Sequence, residues 1–339
     1  MSASEKHFEP SPADISAARA RIAPYAVATP VLENEELNRR VGGRVLIKPE
    51  ILQRSGSFKF RGAINRVLQL TKAEKAGGVV AWSSGNHGLA LSYVAKELGI
   101  DATILMPQEA PKAKINGVRA NGATVRLYDK TKEVREEIGA QIAAETGAVI
   151  IPPYDDPYVI TGQSTLGAEF SEQAQAMEAP LDAALFSCSG GGLVSGAATG
   201  VHAVNPDTEV FSVEPEGFDG MAQSLAAGER VTASPVLTSI CDALLVTVPG
   251  QHTFPLCQSH LKAGLTVTND EVIAAIQFAY KNLKLVVEPG GAAALAAVLA
   301  GKIETAGRTT GILLSGGNVD PEKYATYLVS ELPPAAPNQ

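Results

Sequence analysis

One lysine stands between two phenylalanines in a stretch rich in glycine and serine. The stretch runs from Ser55 to Gly62 with Phe58 and Lys59 near its centre, and an apolar helical pattern, 63–70, follows it. An ammonium among apolar side chains is destabilised, so its pKa falls and the free amine becomes a nucleophile. The alternative is an ordinary lysine whose stem covers apolar surface while its charge reaches water.

A second motif, Ser83–Gly88, lies between an apolar run at 79–82 and a helical pattern at 89–98. Backbone N–H groups and hydroxyls at the beginning of a helix accept a carboxylate or a phosphate. A plain capped turn is the alternative for this motif, and a lone histidine such as His87 is as compatible with a structural role as with a catalytic one.

Two further glycine-rich turns follow apolar runs. Gly190, Gly191 and Gly192 come between a run at 183–187 and a helical pattern near 197–204, an arrangement that binds phosphate with backbone amides. The spacing misses the GxGxxG dinucleotide pattern by one residue, and no GxxxxGK[ST] occurs. Ser315 precedes two glycines near the carboxyl end, which alone indicates only a turn.

These turns need strands and helices to position them. Apolar runs that suit buried strands alternate with helical patterns, which predicts doubly wound parallel sheets that bind ligands at the carboxyl ends of their strands. The chain should begin with a helix capped by Ser11–Asp14 and packed through Ile15, Ala18 and Ile22, and two later helices should end at Gly99 and Gly122. The predicted strands are 45–47, 79–82, 103–106, 124–127, 149–151, 183–187, 209–213 and 311–314.

Composition excludes several classes of protein. The 339 residues carry 28 basic and 36 acidic side chains, a net charge of −8, which argues against a nucleic-acid partner. No leader or membrane-spanning run is apparent, so we expect a cytoplasmic protein without a membrane partner. The three cysteines match no metal or disulfide spacing and predict buried thiols. Motifs of serine hydrolases, zincins and EF-hands are also missing from the sequence.

Taken in this order, the four motifs resemble those of fold type II pyridoxal-phosphate enzymes, the threonine/serine dehydratase and serine racemase family. The resemblance covers about residues 25–332. It implies two doubly wound parallel-sheet domains of the tryptophan synthase β type, with the cofactor in the cleft between them. Residues 1–53 and 155–332 would form the large cofactor-binding domain and 54–154 the small substrate domain, while 333–339 would be a disordered tail.

The resemblance also implies roles for individual residues. Lys59 would bind pyridoxal phosphate covalently, with Phe58 lining the same pocket, and Asn86 would hydrogen-bond the phenolic oxygen of the cofactor. The family has four consecutive glycines in its phosphate loop. Here a serine replaces the first, so the loop is Ser189, Gly190, Gly191, Gly192 and Leu193.

Ser315 would pair with the pyridine nitrogen. A neutral hydroxyl there makes the ring a weaker electron sink, which favours elimination. The substrate carboxylate would be held by Ser83, Ser84, Gly85, Asn86 and His87. Ser84 would in addition exchange a proton on the face opposite the lysine, as in the racemases.

The resemblance also bears on two acidic residues and one arginine. Glu214 and Asp219 resemble carboxylate ligands for Mg²⁺ or Ca²⁺, with a solvated acidic loop as the alternative. Arg135 lies at the edge of an apolar stripe formed by Val134, Ile138 and Ile142 on a predicted helix over 131–145. It would either pair with Glu136 on the surface or, as the resemblance implies, face the β-substituent of the substrate and bind a second carboxylate.

The resulting interpretation is a homodimeric dehydratase, an ammonia-lyase that acts on a small β-hydroxy amino acid and favours 3-hydroxyaspartate over serine or threonine. A serine or aspartate racemase, or an L-threonine dehydratase without a regulatory domain, is the alternative enzyme. A non-enzymatic α/β binding module, in which the glycine loops only turn the chain, is the alternative class.

Overall fold

The computed structural model of the protein describes residues 8–110 and 112–332, so the predicted tail at 333–339 lies outside the described residues. The strands are β1 (Leu32–Glu33), β2 (Arg44–Pro49), β3 (Val79–Trp82), β4 (Ala102–Pro107), β5 (Thr124–Tyr128), β6 (Val149–Ile150), β7 (Ala183–Ser187), β8 (Glu209–Pro215), β9 (Ala263–Val267) and β10 (Thr309–Leu314). The α-helices are α1 (Pro12–Ile22), α2 (Glu35–Val41), α3 (Lys59–Leu68), α4 (Lys72–Gly77), α5 (Asn86–Leu98), α6 (Lys112–Ala120), α7 (Arg135–Thr146), α8 (Pro157–Ala176), α9 (Gly192–His202), α10 (Gly220–Ala227), α11 (Thr253–His260), α12 (Asn269–Phe278), α13 (Pro289–Leu299) and α14 (Pro321–Val329).

The strands form two sheets. One sheet has the order β1-β2-β10-β7-β8-β9 and the other β5-β4-β3-β6. All neighbouring strands are parallel except β1 and β2, which are antiparallel. The predicted fold class, two parallel-sheet α/β domains, is confirmed.

Each predicted strand is present, with ends that agree to within two residues. The prediction missed β1 and β9, the two edge strands of the larger sheet. Most residues of these strands are only half-buried. A strand at an edge is covered on fewer sides, so it lacks the continuous apolar run by which the inner strands were recognised.

The predicted ends of three helices are confirmed. Ser11 and Asp14 form the predicted capping box of α1, and Ile15, Ala18 and Ile22 are buried. Gly99 and Gly122 have φ angles of 64° and 84°, as predicted for helix ends.

The predicted beginning of α7 at residue 131 was wrong. α7 begins at Arg135, because the Asp129 carboxylate accepts bonds from both the N–H and the hydroxyl of Thr131 and so holds 129–133 in a turn. Val134 is consequently half-exposed instead of part of a buried stripe.

The helices cover both faces of each sheet, as a parallel sheet requires. Helices α12 and α13 pack on one face of the larger sheet and α8 and α9 on the other, while α3, α5 and α6 cover one face of the smaller sheet. Gly62 of α3 meets Gly162 of α8 so closely that a β-carbon at Gly162 would stand 2.6 Å from the Gly62 α-carbon. This contact joins the helix that begins at Lys59 to the larger sheet.

The three cysteines are free and buried, as predicted. Among the helices described, none combines the length and the apolar character that crossing a bilayer requires.

Candidate active site

Lys59 is the first residue of α3, at the point where the chain passes from one sheet to the other. Its Nζ lies 2.5 Å from the carbonyl oxygen of Pro153 and 5.1 Å from the centre of the Phe58 ring. Because few polar groups surround the amine in place of water, burial lowers the pKa of Lys59 to about 8. The amine therefore has the electronic character that the sequence predicted for a nucleophile.

The loop before Lys59 pairs with the turn after β10. The N–H of Phe58 donates to the carbonyl oxygen of Ser315 (3.0 Å), and the N–H of Gly317 donates to that of Gly56 (3.0 Å). Ser315 is buried at the end of β10. The first and fourth sequence motifs, more than 250 residues apart, are thus neighbours.

The second motif forms the beginning of α5. Ser83 Oγ accepts from the N–H of Gly85 (3.2 Å), and a β-carbon at Gly85 would meet nothing within 4 Å, so this turn borders open space. His87 is buried and its Nε2 lies 2.9 Å from the carbonyl oxygen of Ile151. Burial, together with the nearby charge of Lys59, lowers the pKa of His87 to about 3. The ring is therefore neutral, with its Nε2 proton donated to that carbonyl.

The third motif forms the beginning of α9. Gly191 has a φ of 97°, and β-carbons at Gly190 and Gly192 would overlap Tyr154. Within the described residues, no backbone carbonyl accepts from the N–H groups of Gly190, Gly192 or Leu193. Unpaired donors at the positive end of a helix are suited to an anion, so this loop could hold a phosphate.

Residues 153–155 connect these parts. The Pro153 carbonyl accepts from Lys59, and the next residue, Tyr154, packs on the glycine loop. The carboxylate of Asp155 accepts from the N–H groups of Gln251 and His252, both at 2.8 Å. One short segment therefore sets the spacing between the amine and the glycine loop.

Asn86 is the buried first residue of α5. Its Nδ2 donates to Glu288 Oε1 (2.5 Å), and its Oδ1 accepts from Asn318 Nδ2 (2.7 Å). Burial raises the pKa of Glu288 to about 7. A β-carbon at Gly316 would overlap the Glu288 carboxylate, so the glycine is what lets the turn after β10 approach this pair.

Arg135 lies at the beginning of α7 and is half-exposed. Its Nε donates to Glu136 Oε1 at 2.8 Å, the surface pairing that was one of the two expectations. Burial and the Asp155 charge raise the pKa of Tyr154, while the charge of Arg135 opposes that shift. No direct hydrogen bond between Arg135 and Tyr154 occurs among the described residues, and the predicted substrate contact of Arg135 stays a prediction.

Glu214 and Asp219 do not form a solvated acidic loop, because Glu214 is fully buried. Its two carboxylate oxygens accept from the N–H groups of Met221 (3.0 Å) and Ala222 (2.8 Å) at the beginning of α10. Burial raises the pKa of Glu214 to about 8 despite these bonds. No group of three or more ligating side chains suited to a metal occurs in the described part of the chain.

Sequence reasoning missed four residues of this site: Pro153, Tyr154, Glu288 and Asn318. A usable signal existed for two of them. Tyr154 follows the strand at 149–151, at the edge where parallel sheets bind ligands. Glu288 precedes the proline at which the apolar helix α13 begins.

Comparison with known proteins relates the whole chain to a family. The family described as "Pyridoxal-phosphate dependent enzyme" matches residues 22–316. An L-threo-3-hydroxyaspartate ammonia-lyase from Pseudomonas sp is 40% identical over 315 residues, 93% of this chain and 97% of that protein. A serine racemase from Schizosaccharomyces pombe is 39% identical over 93% of this chain and 96% of its own. The structure of maize serine racemase superposes with a TM-score of 0.87 at 36% identity, and the match covers 93% of this chain and 95% of that one.

Proposed function

Because the chain belongs to the pyridoxal-phosphate-dependent enzymes, we propose that it is a lyase that removes water from a small β-hydroxy amino acid, with 3-hydroxyaspartate favoured over serine and threonine. One observation carries the proposal. The amine of Lys59, with its lowered pKa, lies near His87 of α5 and bonds to the carbonyl oxygen of Pro153, next to the tyrosine that packs on the glycine loop before α9. Both helix beginnings are suited to an anion site. An amino acid and a phosphorylated cofactor each need one such anion site.

The residues around Lys59 suit pyridoxal phosphate. The cofactor supplies an aldehyde that condenses with amines and a ring that takes up the electrons of the Cα–H bond. Within the loop from Ser189 to Leu193, the unpaired N–H groups of Gly190, Gly192 and Leu193 would bind its phosphate. Lys59 would hold it covalently beside Phe58. Asn86 would donate to its phenolic oxygen, and Ser315 would face its pyridine nitrogen.

The substrate would lie against the open turn before α5. Its α-carboxylate would accept from the hydroxyl and N–H groups of Ser83–His87. Arg135 would bind the second carboxylate of 3-hydroxyaspartate in place of Glu136. Lys59 would take the Cα proton, the β-hydroxyl would leave as water, and hydrolysis of the released enamine would give a keto acid and ammonia.

A racemase is the second candidate, supported by Ser84. The hydroxyl of Ser84 lies in the turn before α5, beside open space at Gly85. In the proposed arrangement it faces the substrate opposite Lys59, where it would return a proton to the second face of Cα. The likeness to the serine racemase from Schizosaccharomyces pombe supports this candidate as well.

Two measurements test the proposed function. The purified protein incubated with pyridoxal phosphate should show a visible absorbance band, absent from Lys59→Ala and present in the exposed-lysine control Lys72→Ala. Ammonia and keto acid should then form fastest from a stereoisomer of 3-hydroxyaspartate in a panel that includes serine and threonine. A colourless wild-type protein would exclude the cofactor, and a preference for threonine would exclude the substrate.

We further propose that Glu214 and Asp219 take part in a divalent cation site completed by backbone carbonyls and water. A buried carboxylate with only two N–H donors retains lone pairs for Mg²⁺ or Ca²⁺. Added Mg²⁺ should raise the melting temperature of the wild type and leave that of Glu214→Gln unchanged. Equal melting of the wild type with Mg²⁺ and with EDTA would exclude the site.

We also make proposals about the domains, the location and the oligomeric state of the protein. We place the domain boundaries between residues 53 and 54 and between 154 and 155, since the smaller sheet uses only strands between Val79 and Ile150. We also propose a cytoplasmic homodimer. Sedimentation should therefore give twice the chain mass of 35.2 kDa.

A further inference from the structure

The side-chain amide of Asn86 is held at both ends, by the buried Glu288 and the partly buried Asn318. Its Nδ2 donates to Glu288 Oε1 (2.5 Å), and its Oδ1 accepts from Asn318 Nδ2 (2.7 Å). Asn318 Nδ2 also donates to the carbonyl oxygen of Ser55 (2.8 Å). Both hydrogens of the Asn318 amide therefore have acceptors, so its own orientation is fixed.

This arrangement determines which way the Asn86 amide faces. Because Asn318 presents only hydrogens to Asn86, the atom of Asn86 that meets it must be the oxygen. The nitrogen then faces Glu288 and uses one of its two hydrogens there. The second hydrogen is left for a group in the cleft.

We propose that Asn318 is a positioning residue, which orients Asn86 so that this second N–H points to the phenolic oxygen of the cofactor. The inference rests on the proposed function for the identity of the cofactor. It adds a role for Asn318, a residue that neither touches the cofactor in the proposed arrangement nor was assigned one by the sequence. Asn318 acts on the cofactor only through Asn86.

Replacing Asn318 should allow the side-chain amide of Asn86 to flip. A flipped Asn86 would present its oxygen to the Glu288 carboxylate, which is tolerated only when Glu288 is protonated. The other charged groups near Glu288 are Asp242 and Lys114, which pair with each other at 2.7 Å. In Asn318→Ala, part of the population should therefore turn the amide oxygen toward the phenolic oxygen.

The first test measures the pH at which the absorbance band of the lysine-bound cofactor changes. A donated N–H stabilises the deprotonated phenolic oxygen, so losing it should raise the midpoint of this titration by about one pH unit. Asn318→Ala should show that rise, and Asn121→Ala, which removes a remote amide bonded to Ser92, should not. An unchanged midpoint in Asn318→Ala would overturn the inference.

A double variant separates positioning from a general structural effect. If Asn318 acts through Asn86, then Asn86→Ala and Asn86→Ala/Asn318→Ala should titrate at the same midpoint. A further shift in the double variant would show that Asn318 acts by another route and would refute the proposal.

A last measurement does not depend on the cofactor. In the cofactor-free protein, the Asn86 side-chain NH₂ signal, assigned from its absence in Asn86→Ala, should exchange with solvent at least tenfold faster in Asn318→Ala than in the wild type. Equal exchange would contradict the orienting contact. A colourless wild-type protein, by contrast, would contradict only the proposed function.

Discussion

The Nζ of Lys59 lies 2.5 Å from the carbonyl oxygen of Pro153, one residue before the tyrosine that packs on the glycine loop. A carbonyl can only accept, so this contact holds the amine in place whether or not it is protonated. It offers no negative charge to stabilise the ammonium. Burial therefore dominates, and the pKa of Lys59 falls to about 8.

This lowered pKa predicts how the cofactor-free protein captures pyridoxal phosphate. Only the neutral amine attacks an aldehyde, so the rate of band formation should rise as the pH approaches 8 and level off above it. An ordinary lysine, with a pKa near 10.4, would keep accelerating. Stopped-flow absorbance between pH 6 and 10 measures the rate.

The control for this experiment is Nα-acetyl-lysine in solution, whose rate contains the ionisations of the cofactor and of an ordinary lysine amine. Dividing the protein rate by the rate of this reference cancels the cofactor ionisations, so the ratio should be constant below about pH 8 and fall above it. A ratio that shows no inflection near pH 8 would contradict the lowered pKa.

A buried ionic network beside Lys59 gives a prediction about stability. The guanidinium of Arg61 donates twice to Glu50 at 2.8 Å and twice to Glu169 at 3.0 Å. Arg61 and Glu50 are almost fully buried. Arg61→Ala leaves the Glu50 carboxylate without its cation, which should lower the free energy of unfolding by about 3–5 kcal/mol.

Urea denaturation followed by circular dichroism checks this value. Arg39→Ala is the matched control, because Arg39 pairs with Glu36 on the surface, where water screens the charges, so its loss should leave the stability nearly unchanged. The free energy of unfolding of Arg61→Lys should lie between those of the two alanine variants, since an ammonium cannot bind two carboxylates bidentately. Equal stability of the Arg61 and Arg39 variants would show that the network contributes nothing.

The fold was predictable where burial is complete. The strands at 79–82 and 183–187 were predicted at their observed ends, because continuous apolar runs are bounded there by glycine, serine or aspartate. The beginning of α7 was not, since the competing bonds from Thr131 to Asp129 use the very hydroxyl that could have capped a helix. Both arrangements use local bonds of Thr131, so the spacing of the apolar residues does not distinguish between them.

The candidate site divides in the same way. Lys59, Asn86 and Ser315 lie at helix beginnings or strand ends that a pattern reveals. Their contacts with Pro153, Glu288 and Asn318 join residues 94 to 232 positions apart, and no local pattern encodes such pairings.

Replacing Ser84 should separate racemisation from elimination. Interconversion of L and D substrate needs a proton on each face of Cα, whereas elimination from the L isomer needs only the lysine face. Ser84→Ala should therefore lower racemisation by roughly 100-fold or more, the usual contribution of a general acid or base. Elimination from the L isomer should change much less.

Chiral chromatography and a keto-acid assay on the same sample measure both rates. Ser83→Ala is the comparison, since Ser83 accepts from the N–H of Gly85 and supports the turn itself. It should lower both rates together. If Ser84→Ala also lowered both equally, Ser84 would be a binding residue instead of a proton donor.

The final prediction concerns substrate choice and Arg135. In this structure the guanidinium pairs with Glu136 while both side chains are about half-exposed, at 51% and 53%. An exposed pair of this kind contributes about 0–1 kcal/mol, so a substrate carboxylate can replace Glu136 at little cost. A charge-assisted bond to that carboxylate is worth about 1.5–3 kcal/mol. Arg135→Ala should therefore lower kcat/KM for 3-hydroxyaspartate by about 10- to 150-fold. For serine, which has no second carboxylate, the loss should be less than about threefold.

Arg126→Ala is the matched control, because Arg126 pairs with Glu133 at the same 2.8 Å on a similarly exposed surface. It should leave kcat/KM unchanged for both substrates. Equal losses on both substrates in Arg135→Ala would remove Arg135 from the substrate site.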